Sequence, residues 1–335
     1  MKNENAIVRA IDIGYGNVKI TTSSSTNGEI KALSFPSIAN PVRDNSALGT
    51  FIDEKETVVV KVKGGSFEVG PDAGISKSNG SAAILHEEYI KQPQYMALTL
   101  GALYYIRQPV IDFLVVGLPV KMMYLADELK KMMIGVHKIK DNISVEVKDC
   151  GVLAQPVGGL SYYGMTAGDE VYQNLKTSRN LLIDAGFFTF DWVVSKGFKY
   201  DEVRSGSHNS GMSSILTEVA KKMSIDFNVP NYSDFDNIDR GLRTGRARLY
   251  GKEINMSPYY KFVDEVSNDS INAMKNSVGD GRDIDNIILI GGSSFAFLPG
   301  LKHSFPNHNI ITISDSLLAN VKGYQLRGDI KALKG

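Results

Sequence analysis

The chain has 335 residues, 43% hydrophobic and 22% charged, with 37 basic and 37 acidic side chains. That composition describes a folded protein large enough for two cores and excludes a disordered or fibrous chain, while zero formal charge supplies no field to draw it onto DNA or an anionic membrane. The single Cys150 excludes an intramolecular disulfide, and no Cys/His group has zinc spacing; a reducing, cytoplasmic setting is expected. No apolar run approaches the ~18 residues of a membrane span, and residues 1–5 lack the pattern of a signal peptide.

In chain order, Val8 to Ile13 and Val18 to Thr22 read as strands joined by Gly14-Tyr15-Gly16-Asn17, residues that tolerate a tight turn. Thr57 to Lys63 and Phe67 to Gly70 form a hairpin about Gly64-Gly65, expected at a domain edge. A helix from Tyr95 to Arg107 precedes a buried strand, Ile111 to Val116, stopped by Gly117-Leu118-Pro119, and then a helix near Tyr124 to Ile134. Residues 137–155 are β-rich, and Gln155-Pro156-Val157-Gly158-Gly159 leads into a helix through Met165, as a crossover between domains would.

The second half repeats the scheme. Strands are predicted at 181–184 and 189–195, and Ser205 to Gly211 opens a helix to about Met223, with Ser and Asn as caps. Residues 225–256 are polar and irregular, a helix runs from Tyr259 to Ser277, and Ile287 to Ile290 is a buried strand ending in Gly291-Gly292-Ser293-Ser294. Alternating strands and helices imply a mixed α/β protein.

Three strand-to-glycine turns thus occur in order, and the first two place an Asp at corresponding positions, Asp12 and Asp184, 172 residues apart. Such a pair suits two similar halves offering a carboxylate and a backbone-lined turn to one Mg-nucleotide. Magnesium takes hard oxygen ligands and keeps its waters, so Asp12 and Asp184 are candidates to hold it through water. Amides of Gly14, Tyr15, Gly16 and Asn17, and of Gly186, Phe187, Phe188 and Thr189, could cradle the β- and γ-phosphates, with Lys19 as a point charge. Gly291, Gly292 and Ser293 would let the backbone approach adenine or the α-phosphate.

With these motifs the chain resembles the actin, Hsp70 and sugar-kinase superfamily, and within it the actin-like proteins of the ParM/StbA plasmid-segregation type, together with archaeal actin-like proteins. Ile11 to Lys19 matches the first phosphate motif, Ile111 to Pro119 the apolar strand and its exit, and Ala154 to Gly159 the first connecting segment. Leu182 to Asp191 matches the second phosphate motif, Ile288 to Ser293 the adenosine motif and Ala319 to Tyr324 the returning helix.

The resemblance implies a duplicated, ribonuclease H-like α/β fold of two domains, 1–157 with 315–335 and 158–314, around an interdomain nucleotide cleft. It places Gln155 where the attacking water is oriented and has Asp184 support that water or the metal's hydration shell. It further implies an ATPase that polymerises with ATP, GTP being the other candidate, and that segregates plasmid DNA through a DNA-binding adaptor protein, without direct nucleic-acid or membrane contact. A small-molecule kinase or a non-polymerising regulatory ATPase on the same fold are the alternatives. Phe187-Phe188, bulky where relatives carry small or hydroxyl residues, would crowd the second turn. Arg240, Arg243, Arg246 and Arg248 form a basic patch, read as a solvated face ahead of a nucleotide or subunit contact.

Overall fold

The computed structural model describes residues 6–25, 28–42, 55–76 and 89–334; the segment 1–5, read above for a targeting pattern, lies outside them. The chain forms two compact units, 1–166 with 318–335, and 167–317.

The first unit contains strands β1 (Val8–Ile13), β2 (Asn17–Thr21), β3 (Ala32–Pro36), β4 (Asn40–Pro41), β5 (Val58–Val62) and β6 (Gly65–Val69). Helix α1 (Pro93–Ile106), β7 (Val110–Ile111), β8 (Phe113–Leu118), α2 (Ala126–Met133), β9 (Gly135–Lys140), β10 (Ile143–Val147), β11 (Cys150–Ala154) and α3 (Gln155–Thr166) follow. Its main sheet runs β11-β8-β1-β2-β3: β1, β2 and β3 form an antiparallel meander, and β8 and β11 add on in parallel. Strands β1 and β8 are buried along their whole length; β8 is apolar throughout, as a parallel strand covered on both faces requires, whereas β1 carries Arg9 and Asp12 among its apolar residues.

Two expectations fail here. The apolar stretch from Ile111 is not one strand: β7 pairs with β10 and β8 with β1, in different sheets. Asp112 is the break, because its carboxylate accepts from the Ile7 amide and from Lys148 Nζ. Likewise Pro156-Val157-Gly158-Gly159 lies inside α3, not ahead of it. Proline is tolerated in a first helical turn, where its missing N–H would have had no helical partner.

The second unit holds α4 (Asp169–Thr177), β12 (Arg179–Ala185), β13 (Phe190–Lys196), β14 (Lys199–His208), α5 (Met212–Asp226), α6 (Phe235–Thr244), β15 (Arg246–Leu249), β16 (Lys252–Asn255), α7 (Tyr260–Val278), β17 (Asn286–Ile290), α8 (Ser294–Ser304) and β18 (Ile310–Thr312). Its sheet runs β14-β13-β12-β17-β18. Here too a three-stranded antiparallel meander is extended by two parallel strands, so the main sheet of the first unit is repeated strand for strand. A large core of Leu181, Ile183, Phe190, Trp192, Ile215, Phe297 and their neighbours underlies it.

Two expectations fail in this unit as well. Ser205 to His208 belongs to β14 and does not open a helix; α5 starts at Met212, after Gly211, with no side-chain cap. The stretch 225–256 is not irregular, since it carries α6, capped by the Asp234 side chain on the Asn237 amide, and the β15–β16 hairpin.

The chain then returns to the first unit as α9 (Ala319–Lys334). Helices α3 and α9 cross at glycines: a Cβ on Gly323 would stand 1.8 Å from the Gly158 carbonyl oxygen, and one on Gly158 2.5 Å from that of Asn320. The Asn320 side chain accepts from the Gly159 amide, and Arg327 Nε donates to Ser161. These contacts fix the start of α3, and with it Gln155.

Candidate functional site

In the first unit Asp12 sits near the end of β1, 1% exposed, directly across the ladder from Lys19 on β2. Facing residues of an antiparallel pair project on the same side, and Lys19 Nζ lies 3.0 Å from Asp12 Oδ2. The other oxygen, Oδ1, accepts from Gln155 Nε2 at 2.8 Å. The first strand, the second strand and the start of α3 therefore converge on one buried carboxylate.

The turn after Asp12 is closed by the Gly14 amide donating to the Asn17 carbonyl, 3.1 Å. Behind it stands Ser37: its hydroxyl donates to the Gly14 carbonyl and its amide to that of Gly16. In a planar trans peptide the N–H points opposite to the preceding C=O. Ser37 thereby turns the Tyr15 and Asn17 amides the other way, as an anion-binding concavity requires. Tyr15 stacks on Tyr89 with ring centroids 4.7 Å apart, and Tyr89 meets Tyr95 edge-on at 5.2 Å. Burial pushes the Tyr95 phenol well above its usual range, with Tyr89 and Asp12 adding to the effect, so it stays a neutral wall beside the carboxylate.

The second unit rebuilds the same turn. Asp184 is buried near the end of β12, and the Gly186 amide donates to the Thr189 carbonyl at 3.0 Å. Here the carbonyls are held by the start of α5, through bonds from Met212 to Gly186, Ser213 to Phe187 and Gly211 to Phe188, at 3.1, 2.7 and 2.9 Å. The amides of Phe187, Phe188 and Thr189 are accordingly directed away from α5. Gly211 is what permits this: a Cβ there would lie 2.6 Å from the Gly186 carbonyl oxygen and 2.8 Å from that of Phe187. The Phe187 ring packs against the core, so its bulk is absorbed there.

The two turns differ across the ladder. Where Lys19 faces Asp12, Asp191 faces Asp184, and both of these carboxylates are buried. Asp191, Ser37 and Gly211 were not singled out from the sequence; only the repeat of the first turn, laid over the second, could have pointed to Asp191.

The third turn lies beside Asp184 because β12 and β17 are parallel neighbours, with Asp184 opposite Ile290. Gly291 has φ +96°, and a Cβ there would stand 2.5 Å from Asp184 Oδ1 and 2.3 Å from the Ala185 carbonyl oxygen. The Ser293 amide donates to Ala185, and Ser294 Oγ to Gly291. Arg243 donates to the Gly292 carbonyl at 2.9 Å, stacks 4.2 Å over the Phe295 ring and ion-pairs with Asp239. Of the basic patch it alone joins this turn: Arg240 holds Asn237, Arg246 pairs with Glu253, and Arg248 is exposed.

Asp12, Gly14 to Asn17, Lys19 and Gln155 thus gather in one unit, and Asp184, Gly186 to Thr189 and Gly291 to Ser293 in the other. Among the described residues no group of three or more His, Cys, Asp and Glu is arranged to hold a metal, and no helix is long and apolar enough to cross a membrane.

Two family models match the chain: actin-like proteins, N-terminal domain, over residues 10–158, and archaeal actin homologue MreB-like, C-terminal, over 182–303. Among solved structures it is similar to apo pSK41 ParM, with 21% identity, 99% of each chain covered and a TM-score of 0.68. It is similar as well to the subunit of a 15-stranded ParM filament from Clostridium botulinum, at 19% identity, 97% and 99% coverage and a TM-score of 0.75. The ADP complex of Ta0583, an archaeal actin homolog, matches at 16% identity, 97% and 99% coverage and a TM-score of 0.71. Among curated proteins no sequence matched.

Proposed function

Because the chain belongs to the actin-like proteins, we propose that it binds one Mg-nucleoside triphosphate, ATP or GTP, through both half-sites, hydrolyses it and assembles into filaments. The observation that carries this reading is the repeated turn: an Asp at the end of a buried strand, the same closing bond, and carbonyls tied back so that amides face away. Such amides stabilise phosphate charge without reorganising during the reaction.

Magnesium supplies charge neutralisation between the phosphates when bound. The donors present fit it: Asp12 and Asp184 are hard oxygen ligands, and facing carboxylates at Asp184 and Asp191 suit a hydrated dication. Asp12 already accepts one bond on each oxygen, and a carboxylate oxygen has a second lone pair for a water. Gln155 donates its amide N–H to Asp12, which leaves Oε1 to accept a hydrogen bond from the attacking water and orient it. Asp184 supports that water or the metal's hydration shell.

The expected output is plasmid DNA segregation in the cytoplasm through a DNA-binding adaptor; the balanced charge of the chain favours an indirect link to DNA. Sedimentation with ATP, GTP, ADP and no nucleotide, with electron microscopy of the pellets, tests the reading. Filaments with a triphosphate are expected; no pellet under any condition, with turnover stimulated by sugars, would replace the filament by a kinase.

A further inference from the structure

The two phosphate turns are held by different means. In the second unit the carbonyls of Gly186, Phe187 and Phe188 accept backbone amides from the start of α5, so no side chain is needed to aim them. In the first unit the Gly16 carbonyl is likewise held by an amide, that of Ser37, but the Gly14 carbonyl accepts from the Ser37 hydroxyl. Whatever touches that hydroxyl therefore bears on the first turn.

Tyr89 is the side chain that does so. It lies in one turn of 3-10 helix, Tyr89–Lys91, and is 5% exposed. Burial, with Tyr15 adding to the effect, pushes its phenol above the ordinary range despite a side-chain hydrogen bond with Ser37, so the group keeps its proton. A serine hydroxyl has one proton and two lone pairs, and the proton of Ser37 already goes to the Gly14 carbonyl. The Tyr89 O–H accordingly donates and Ser37 accepts.

The same side chain meets the turn a second time. Its ring lies on that of Tyr15, with centroids 4.7 Å apart and planes 24° from parallel, and Tyr95 meets it edge-on from another side. The Gly14 carbonyl and the Tyr15 amide belong to one planar peptide unit. Tyr89 thus acts on the carbonyl end of that unit through Ser37 and on its amide end through the Tyr15 ring. Its own place is fixed by the backbone: the Tyr89 carbonyl accepts from the Gln92 amide at 3.1 Å, and the Gln92 carbonyl from the Tyr95 amide at 3.0 Å, in the first turn of α1.

We infer that Tyr89 is a positioning residue for the first phosphate turn, setting through Ser37 the aim and donor strength of the Tyr15 amide offered to a nucleotide phosphate. Hydrogen bonds in series polarise one another. Here the series runs from the Tyr89 O–H to Ser37 Oγ, from the Ser37 O–H to the Gly14 carbonyl, and across that peptide to the Tyr15 N–H. The hold of the first turn on phosphate is thereby made to depend on residues 89–92, ahead of α1, whereas the second turn is aimed by backbone bonds. This inference rests on the nucleotide reading of the turn and names the side chain that tunes it.

The test is the affinity of the full chain for Mg-ATP, measured by calorimetry beside a thermal melt. Tyr89→Phe keeps the ring on Tyr15 and removes only the hydroxyl; it should weaken binding about threefold to tenfold and leave the melting temperature within a few degrees. Ser37→Ala should weaken binding at least as much, and adding Tyr89→Phe to it should change affinity by less than about twofold, because the series is already broken. In a chain carrying isotope-labelled tyrosine, the Tyr15 amide resonance should move when Mg-ATP is added and move less in Tyr89→Phe. Wild-type affinity in Tyr89→Phe, or losses that multiply in the double variant, would overturn the inference and leave the nucleotide reading standing. A wild-type chain with no affinity for Mg-ATP would overturn both.

Discussion

Gln155 Nε2 donates to Asp12 Oδ1 over 2.8 Å although the two residues are 143 positions apart. With Lys19 on Oδ2, the bond makes the carboxylate a hub between the first turn and the start of α3. Replacing Gln155 with Ala is expected to lower turnover by about tenfold to a hundredfold and to leave the melting temperature within a few degrees, because the loss is of orientation. Phosphate release at saturating Mg-ATP, measured beside a thermal melt, checks it; equal turnover would remove Gln155 from the reaction.

Lys19 and Asp12 form a pair whose acid is 1% exposed and whose base is 15% exposed. Lys19→Met strands a buried carboxylate and should cost about 3–5 kcal/mol in urea unfolding, whereas Lys19→Met with Asp12→Asn should cost clearly less, since breaking a buried pair is worse than removing it. Equal losses in the single and double variants would show that the pair is not energetically coupled.

Gly211→Ala would push a methyl group toward the Gly186 and Phe187 carbonyls that α5 holds. The expected cost is about 1–3 kcal/mol, with nucleotide affinity falling because the amides of the second turn lose their aim. Gly323→Ala, 1.8 Å from the Gly158 carbonyl, should cost at least as much stability. Denaturation and nucleotide titration of both variants separate the effects on turn and helix crossing.

The hydrogen bond from Arg204, helped by the charges of Arg204 and Arg179, holds the Asp283 carboxyl at about 2. A folded pKa below the unfolded one stabilises fully above the ordinary carboxylate value near 4, and this stabilisation fades as pH falls through about 2. Asp283 is half exposed, so solvent screening limits the pair to about 1 kcal/mol at most. Asp283→Asn should flatten the stability profile between about pH 4 and 2; parallel profiles for variant and wild type would contradict the assignment.

The turns were legible in the sequence because each combines a buried apolar strand with residues whose backbone tolerance is local, Gly14 to Asn17 and Gly186. What escaped depends on distant neighbours. Strand β14 carries Asp201, Glu202 and Arg204 and has no alternation, since an edge strand with a bulge need not bury one face. Gly158 and Gly159 read as part of a crossover ahead of a helix, yet Gly158 admits the close approach of α9 and the Gly159 amide donates to Asn320 on that helix, which starts about 160 residues later. The break at Asp112 and the bond from Gln155 to Asp12 likewise depend on partners that no local pattern names.

The central claim is that the two Asp–Gly turns hold the phosphates of one nucleotide. Calorimetric titration of the full chain with Mg-ATP tests it directly, alongside Asp12→Ala and Asp184→Ala. One nucleotide per wild-type chain, with either substitution weakening that single event, is the predicted result. Two independent sites, or a wild-type isotherm retained in either variant, would contradict it.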